Sequence, residues 1–81
     1  MVREVIRLEK RLCDIGYGES AVIKDVLLEG SIGRRLYDIG FIEGTDIECV
    51  GKSLFGGMTA FLVRGAVYAL RTGECEKIFI Y

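Results

Sequence analysis

The chain has 81 residues, of which 51% are hydrophobic and 28% charged, and its formal net charge is −1. A chain of this length forms one small domain that buries about 60% of its unfolded surface, and this composition excludes a disordered polymer. Because Lys and Arg are spread along a nearly neutral chain, we predict no nucleic-acid binding through phosphate contacts. No apolar run reaches the ~18 residues that a membrane-spanning helix needs, so we also predict no direct membrane insertion.

The first eleven residues are the hardest to interpret. Val5 and Leu8 fit a helical stripe, whereas Val2, Ile6 and Leu8 fit a strand almost as well. We interpret residues 1–11 as an extra N-terminal segment that packs on one edge of the domain, with a dimerisation or docking arm as the alternative. The segment lacks the apolar core of a secretory signal, which predicts a cytoplasmic protein.

Residues 12–28 contain the first clear strand. Gly16 and Gly18 bracket a turn, and the β-branched run from Ala21 to Val26 follows it. Such a run, bounded by glycines, is typical of a β-strand.

A short helix is predicted to begin after Ser31, whose hydroxyl could accept hydrogen bonds from the first free amides. Ile32, Leu36 and Ile39 recur at helical spacing and form one apolar stripe. Gly40 then ends the helix, because it can adopt the left-handed conformation of a C-terminal cap without steric strain. A helix this short is marginal alone, so its stripe must pack on the rest of the chain.

A tight turn at Glu43-Gly44 leads from the helix into a second strand. Glycine supplies the positive φ that such a turn needs. From Thr45 to Val50 the pattern alternates, with Ile47 and Cys49 on the apolar face, which predicts a half-buried strand.

Three further strands are predicted in the C-terminal half, at residues 58–64, 66–71 and 77–81. Between the second and third strands, Gly51-Lys52-Ser53 imitates the end of a phosphate-binding loop. The full motif needs a glycine where this chain has Asp46, and it needs a following helix. We therefore predict a hairpin loop and no nucleotide site. Several short strands with one helix indicate a small antiparallel barrel.

The segment R-R-L-Y-D-I-G-F-I-E-G-T-D-I, residues 34–47, resembles the signature of ferrous iron transport protein A (FeoA) domains. The positions that match this pattern are Arg35, Leu36, Asp38, Gly40, Gly44, Thr45 and Ile47. Glu43 departs from it, because the family usually has proline there. Weaker matches extend the resemblance from Leu12 to Ile80, so the chain is interpreted as a single FeoA-like domain with its barrel at residues 12–81.

The resemblance implies a mainly β fold: an SH3-like antiparallel barrel of about five strands, with one short helix inserted after the first strand. It also implies a cytosolic accessory or regulatory protein of bacterial ferrous iron uptake, which docks on the membrane ferrous iron transporter FeoB. Two alternatives stay open. One is a detached regulatory domain like those of iron-dependent transcription repressors, and the other is a small divalent-metal-binding protein. The oligomeric state is left open.

No catalytic or cofactor site is predicted. The chain has no histidine, and its three cysteines, Cys13, Cys49 and Cys75, lack the spacing of a zinc site. We interpret them as small hydrophobic residues, and we predict neither metal ligands nor enzymatic activity. Weak ferrous iron binding by surface carboxylates is the alternative.

The predicted protein-binding residues are Leu54 and Phe55, with Lys52, Arg34 and Arg35 as a basic rim. A short hairpin tip can hardly bury two large apolar side chains, and such anchors often dominate an interface. A fold-back of Leu54 into the barrel end is the alternative. Ser31, Leu36, Gly40 and Gly44 are predicted to have structural roles.

Overall fold

The structure, a computed structural model, describes residues 9–53 and 56–81. These residues contain six β-strands, two α-helices and one short 3-10 helix. The strands are β1 (Lys10–Arg11), β2 (Ser20–Val26), β3 (Asp46–Lys52), β4 (Met58–Val63), β5 (Ala66–Arg71) and β6 (Ile78–Ile80). The helices are α1 (Gly30–Ile39) and α2 (Thr72–Cys75), and the 3-10 helix is Leu12–Asp14. The expectations for residues 1–8 and for Leu54 and Phe55 lie outside the described residues.

All strand pairs in the single sheet are antiparallel, and the strand order is β1-β6-β2-β3-β4-β5. The register shifts between Ile23 and Asp25 and again between Cys49 and Gly51, and such bulges bend a strand. The predicted mainly β, SH3-like fold is confirmed. The helix follows the second strand, because Lys10 and Arg11 already form a short strand against β6.

One apolar core lies under this sheet and takes its side chains from alternate strand positions. Its fully buried members include Ile23, Ile47, Phe61, Leu70 and Ile78. Each comes from a different strand, from β2 to β6, so the sheet wraps around a common core. No helix in residues 9–53 or 56–81 has the length and apolar character needed to cross a bilayer.

Helix α1 begins earlier than predicted. The first backbone bond of the helix runs from the Gly33 amide to the carbonyl of Glu29, which makes Glu29 the N-cap residue, without a side-chain cap. The predicted N-cap at Ser31 is therefore wrong: Ser31 is exposed within the first turn. The physical reason is Gly30, whose φ of 70° lets the chain enter the helix two residues sooner.

The end of α1 is as predicted. Gly40 has a φ of 112°, and its amide donates to the carbonyl of Tyr37 at 3.1 Å. The amide of Phe41 donates to the carbonyl of Leu36 at 2.9 Å. These two bonds make a Schellman motif, and both Leu36 and Phe41 are buried. The cap thus turns the chain directly into the core.

Candidate interaction site

The β3–β4 loop, which carries the predicted anchors, has a rigid base. Ser53 donates its amide to the carbonyl of Met58 at 3.0 Å, and its hydroxyl accepts from the Gly57 amide at 3.0 Å. The carbonyl of Ser53 accepts from the Gly56 amide at 3.1 Å. Gly56 has a φ of 76°, a value that favours glycine. Gly51-Lys52-Ser53 is therefore strand and hairpin rather than a helix N-terminus.

Helix α2 anchors the same loop from the other side. The Thr72 hydroxyl donates to the carbonyl of Gly56 at 2.6 Å, and the Thr72 amide donates to the carbonyl of Gly57 at 3.2 Å. The residues at the loop base are thus held by the helix that follows β5. Sequence reasoning missed this contact, because sixteen residues separate Thr72 from Gly56 and no local pattern links them.

Lys52 is exposed at the end of β3, beside a shallow groove on the outer surface of the sheet. The groove has a volume of about 270 Å³ and reaches from Ser53 and Met58 to Ala60 and Ala69. Most of these positions are apolar or small. The Lys52 side chain belongs to the opposite face of the sheet, because Lys52 pairs with Thr59 and Thr59 pairs with the buried Leu70. The groove can accept an apolar side chain from a partner.

Arg34 and Arg35 are both exposed, but the structure places them away from Lys52. The backbone of α1 at Gly33 lies directly against Leu28, just beyond β2, and Gly40 lies against Arg64, just beyond β4. Both places adjoin the Asp46 end of β3, because β2 and β4 are antiparallel to β3. Lys52 stands at the other end of that strand. The two arginines therefore do not rim the β3–β4 loop.

The cysteines are all free thiols, and two of them belong to the core. Cys49 and Cys75 are buried, whereas Cys13 is partly exposed. Burial raises the pKa of Cys75 to about 11, and burial followed by the nearby Asp14 carboxylate raises the pKa of Cys13. Thiols with raised pKa values are poor nucleophiles and poor metal ligands at neutral pH. Across residues 9–53 and 56–81, no three His, Cys, Asp or Glu side chains are grouped as a metal site.

Glu43 has a role that the sequence did not reveal. Its carboxylate accepts a hydrogen bond of 2.5 Å from the Tyr81 hydroxyl, and this bond raises the pKa of Tyr81. The ammonium of Lys24 lies 5.8 Å from the centre of the Tyr81 ring. The residue that departs from the family pattern therefore ties the turn after α1 to the last residue of the chain.

The geometry accounts for the motif of residues 34–47, which forms most of α1, its glycine cap, the tight turn and the start of β3. A family model described as FeoA domain matches residues 10–81. The chain belongs to the FeoA family. This family is linked to ferrous iron transport. Its signature has a structural role here, because both of its glycines have positive φ and Leu36, Phe41 and Ile47 are buried.

Solved FeoA structures share this fold. The FeoA protein of Chlorobium tepidum is 24% identical, with a TM-score of 0.83 over 88% of this chain and 68% of that one. The Stenotrophomonas maltophilia FeoA, an SH3 domain protein complexed with zinc, is 29% identical with a TM-score of 0.75 over 88% of both chains. A manganese-dependent transcriptional repressor, 15% identical, has a TM-score of 0.79 over 90% of this chain and 40% of its own, a likeness of fold alone. No curated protein matches the sequence.

Proposed function

We propose that this FeoA domain is a cytoplasmic accessory protein of ferrous iron uptake, which docks on the large membrane ferrous iron transporter with its GTPase domain (FeoB) and modulates it. The observation that carries the proposal is the FeoA model, which matches residues 10–81. The S. maltophilia relative is described as a candidate ferrous iron transport activating factor. Extending that role to this chain is part of the proposal.

The proposed docking point is the β3–β4 loop, with Leu54 and Phe55 as anchors and Lys52 beside them. Two features support it. The loop base is held by Ser53 and by Thr72, so a partner that binds there loses less conformational entropy than on a free loop. The apolar groove beside Lys52 extends the contact area. Arg34 and Arg35 lie at the other end of β3 and are excluded from this docking point.

Co-purification with native membranes tests the proposal. A tagged chain should retain the transporter, and calorimetry with the cytosolic region of the transporter should give a measurable Kd. The double variant Leu54→Ser, Phe55→Ser should weaken binding at least tenfold, which is about 1.4 kcal/mol. Its melting temperature should stay that of the parent.

The matched control is Tyr37→Ser, which removes an exposed aromatic side chain from α1 and should leave the Kd unchanged. An absence of binding by the parent chain would refute the docking function. Full binding by the double variant would refute the loop as the docking point but would leave the docking function standing.

A metal-delivery function would require the protein to bind ferrous iron, and equilibrium dialysis distinguishes this function from docking on the transporter. If the protein carried ferrous iron, anaerobic dialysis would show stoichiometric uptake, and the triple replacement of its cysteines by alanine would lower it. We expect no stoichiometric uptake by either protein, because the two buried thiols are committed to core packing.

A further inference from the structure

Strand β5 forms an edge of the sheet that lacks the usual protection against pairing. It is the last strand in the sheet order, and within the described part of the chain its extensive contacts are with β4 and α2. Its pairing with β4 runs from Ala66 to Arg71 without a bulge, and the chain contains no proline. Bulges, prolines and charged side chains are the features that normally keep an edge strand from pairing with another chain. The one charged residue of β5 is Arg71, at its end.

The β4–β5 hairpin fixes which backbone groups of β5 face this open edge. Its turn has two residues, Arg64 and Gly65, whose φ values of 54° and 85° are those of a type I′ turn. The pair that closes such a turn exchanges hydrogen bonds, and hydrogen-bonded pairs then alternate along antiparallel strands. Every second residue from Ala66 onward therefore directs its N–H and C=O groups to β4. Val67 and Ala69 direct theirs to the open edge.

Two hydrogen bonds at the end of β5 agree with this alternation. The Thr72 amide donates to the carbonyl of Gly57 at 3.2 Å, on the β4 side. The Arg71 amide donates to the carboxylate of Glu74 at 2.9 Å, and this bond lies on the other side, because Glu74 belongs to α2. Helix α2 thus closes the edge at Arg71 and leaves the preceding part open.

The open part of the edge is a short row of hydrogen-bonding groups between small side chains. In residues 9–53 and 56–81, the outward N–H and C=O groups of Val67 and Ala69 have no backbone partner. The two residues lie about 7 Å apart along the strand. Val67 is 60% exposed and Ala69 is exposed as well, so neither side chain blocks the edge. A row of this kind accepts an extended peptide as an added strand, with main-chain hydrogen bonds supplying the affinity.

The charges around the edge favour an acidic strand over a second copy of this chain. Residues 49–73 include three cations, among them Arg64 and Arg71, and no carboxylate. Two copies that paired antiparallel, with Val67 opposite Ala69, would place Arg71 of each beside the Arg64-Gly65 turn of the other and bring no acid to it. Glu74, the next acid along the chain, is already bonded to the Arg71 amide. A strand with a carboxylate opposite Arg71 gains from the same charge, because cross-strand pairs of opposite sign are stabilising.

We propose that the free edge of β5 binds an extended, acidic segment of a partner protein, which joins the sheet as a further strand. The backbone groups of Val67 and Ala69 bond to this segment, and its apolar side chains lie beside theirs on the outer face. A carboxylate near its end pairs with Arg71. Because the open edge offers the groups of only two residues, an isolated peptide should bind weakly, with a Kd of about 1 mM or somewhat tighter.

Amide hydrogen exchange and a peptide titration, both followed by NMR, test the proposal. In the free protein the amides of Val67 and Ala69 should exchange at least tenfold faster than those of Tyr68 and Leu70, which bond to β4. The probe is the end-capped peptide E-T-V-T-V-E. Its addition should shift the Val67 and Ala69 amide signals and slow the exchange of both.

Two variants separate the backbone contribution from the charge. Val67→Pro removes an outward N–H without removing a bond to β4, a place where an edge strand tolerates proline, and should weaken peptide binding roughly tenfold. Arg71→Glu should weaken binding of E-T-V-T-V-E and favour the peptide K-T-V-T-V-K, so that a gain accompanies the loss. The matched control Arg35→Glu makes the same charge change at an exposed position of α1 and should bind both peptides as the parent does.

Several results would overturn the proposal. Slow exchange of the Val67 and Ala69 amides in the free protein would show that this chain already covers the edge. Protection of the same amides that grows with protein concentration would assign the edge to a second copy. Unchanged peptide binding by Val67→Pro, or an unchanged peptide preference in Arg71→Glu, would refute strand addition or the acidic partner. All of these measurements use purified protein and synthetic peptides, so their outcome is independent of docking on the transporter.

Discussion

Replacing Gly40 by alanine should lower the free energy of unfolding by about 2 kcal/mol. The φ of 112° at this residue lies beyond the +50 to +70° range that residues with a Cβ tolerate in the left-handed region, and such strain costs about 1–3 kcal/mol. A Cβ would also lie 2.8 Å from Cδ of Arg64. That atom belongs to a flexible, exposed side chain that can move aside, so the backbone term should dominate. For a domain of this size the melting temperature should fall by about 8–16 °C.

Thermal unfolding followed by circular dichroism measures this effect, and two controls define it. Gly73→Ala changes a glycine with open space around it inside α2, so its melting temperature should match or exceed the parent. Arg64 has a φ of 54°, so Arg64→Gly should fold well and removes the neighbouring side chain. The cost of Gly40→Ala should persist in that background. A cost that disappears there would show that collision with Arg64, rather than backbone strain, was the cause.

Three further predictions concern the helix start, a core thiol and the loop. Gly33→Ala should lower the free energy of unfolding, measured in urea, by about 3 kcal/mol or more. The reason is that its Cβ would collide with the backbone carbonyl of Leu28, which cannot move aside. A loss smaller than that of Gly40→Ala would contradict this close packing. Since burial raises the pKa of Cys75 to about 11, against about 8.5 when unfolded, the native state holds an extra proton between these values. Stability should therefore fall by about 3 kcal/mol as pH rises through them, and Cys75→Ala should flatten the fall. An equal fall in both proteins would refute the burial effect. Calorimetry with GTP should give only heats of dilution, because Gly51 and Lys52 lie within β3; a micromolar Kd would contradict this.

The family signature illustrates which parts of a sequence report structure directly. The stripe of Ile32, Leu36 and Ile39, the cap at Gly40 and the turn at Gly44 were all predicted, and all are present. Each depends only on residues within about two helical turns or one tight turn. The exception was Ser31, because Gly30 offered a second way to begin the helix and local propensity did not decide between the two.

The sequence by itself determined the local elements of this protein and the faces they bury. Hydrophobic period and the positive φ of glycine are properties of neighbouring residues, so they can be read along the chain. The tertiary structure alone decided which distant residues meet. Gly51, Ala60 and Ala69 lie side by side on three neighbouring strands, and the Tyr81 hydroxyl donates to Glu43, 38 positions away in the sequence. Such contacts depend on strand register, and register is set by bulges and by burial of the whole core, which no short segment encodes.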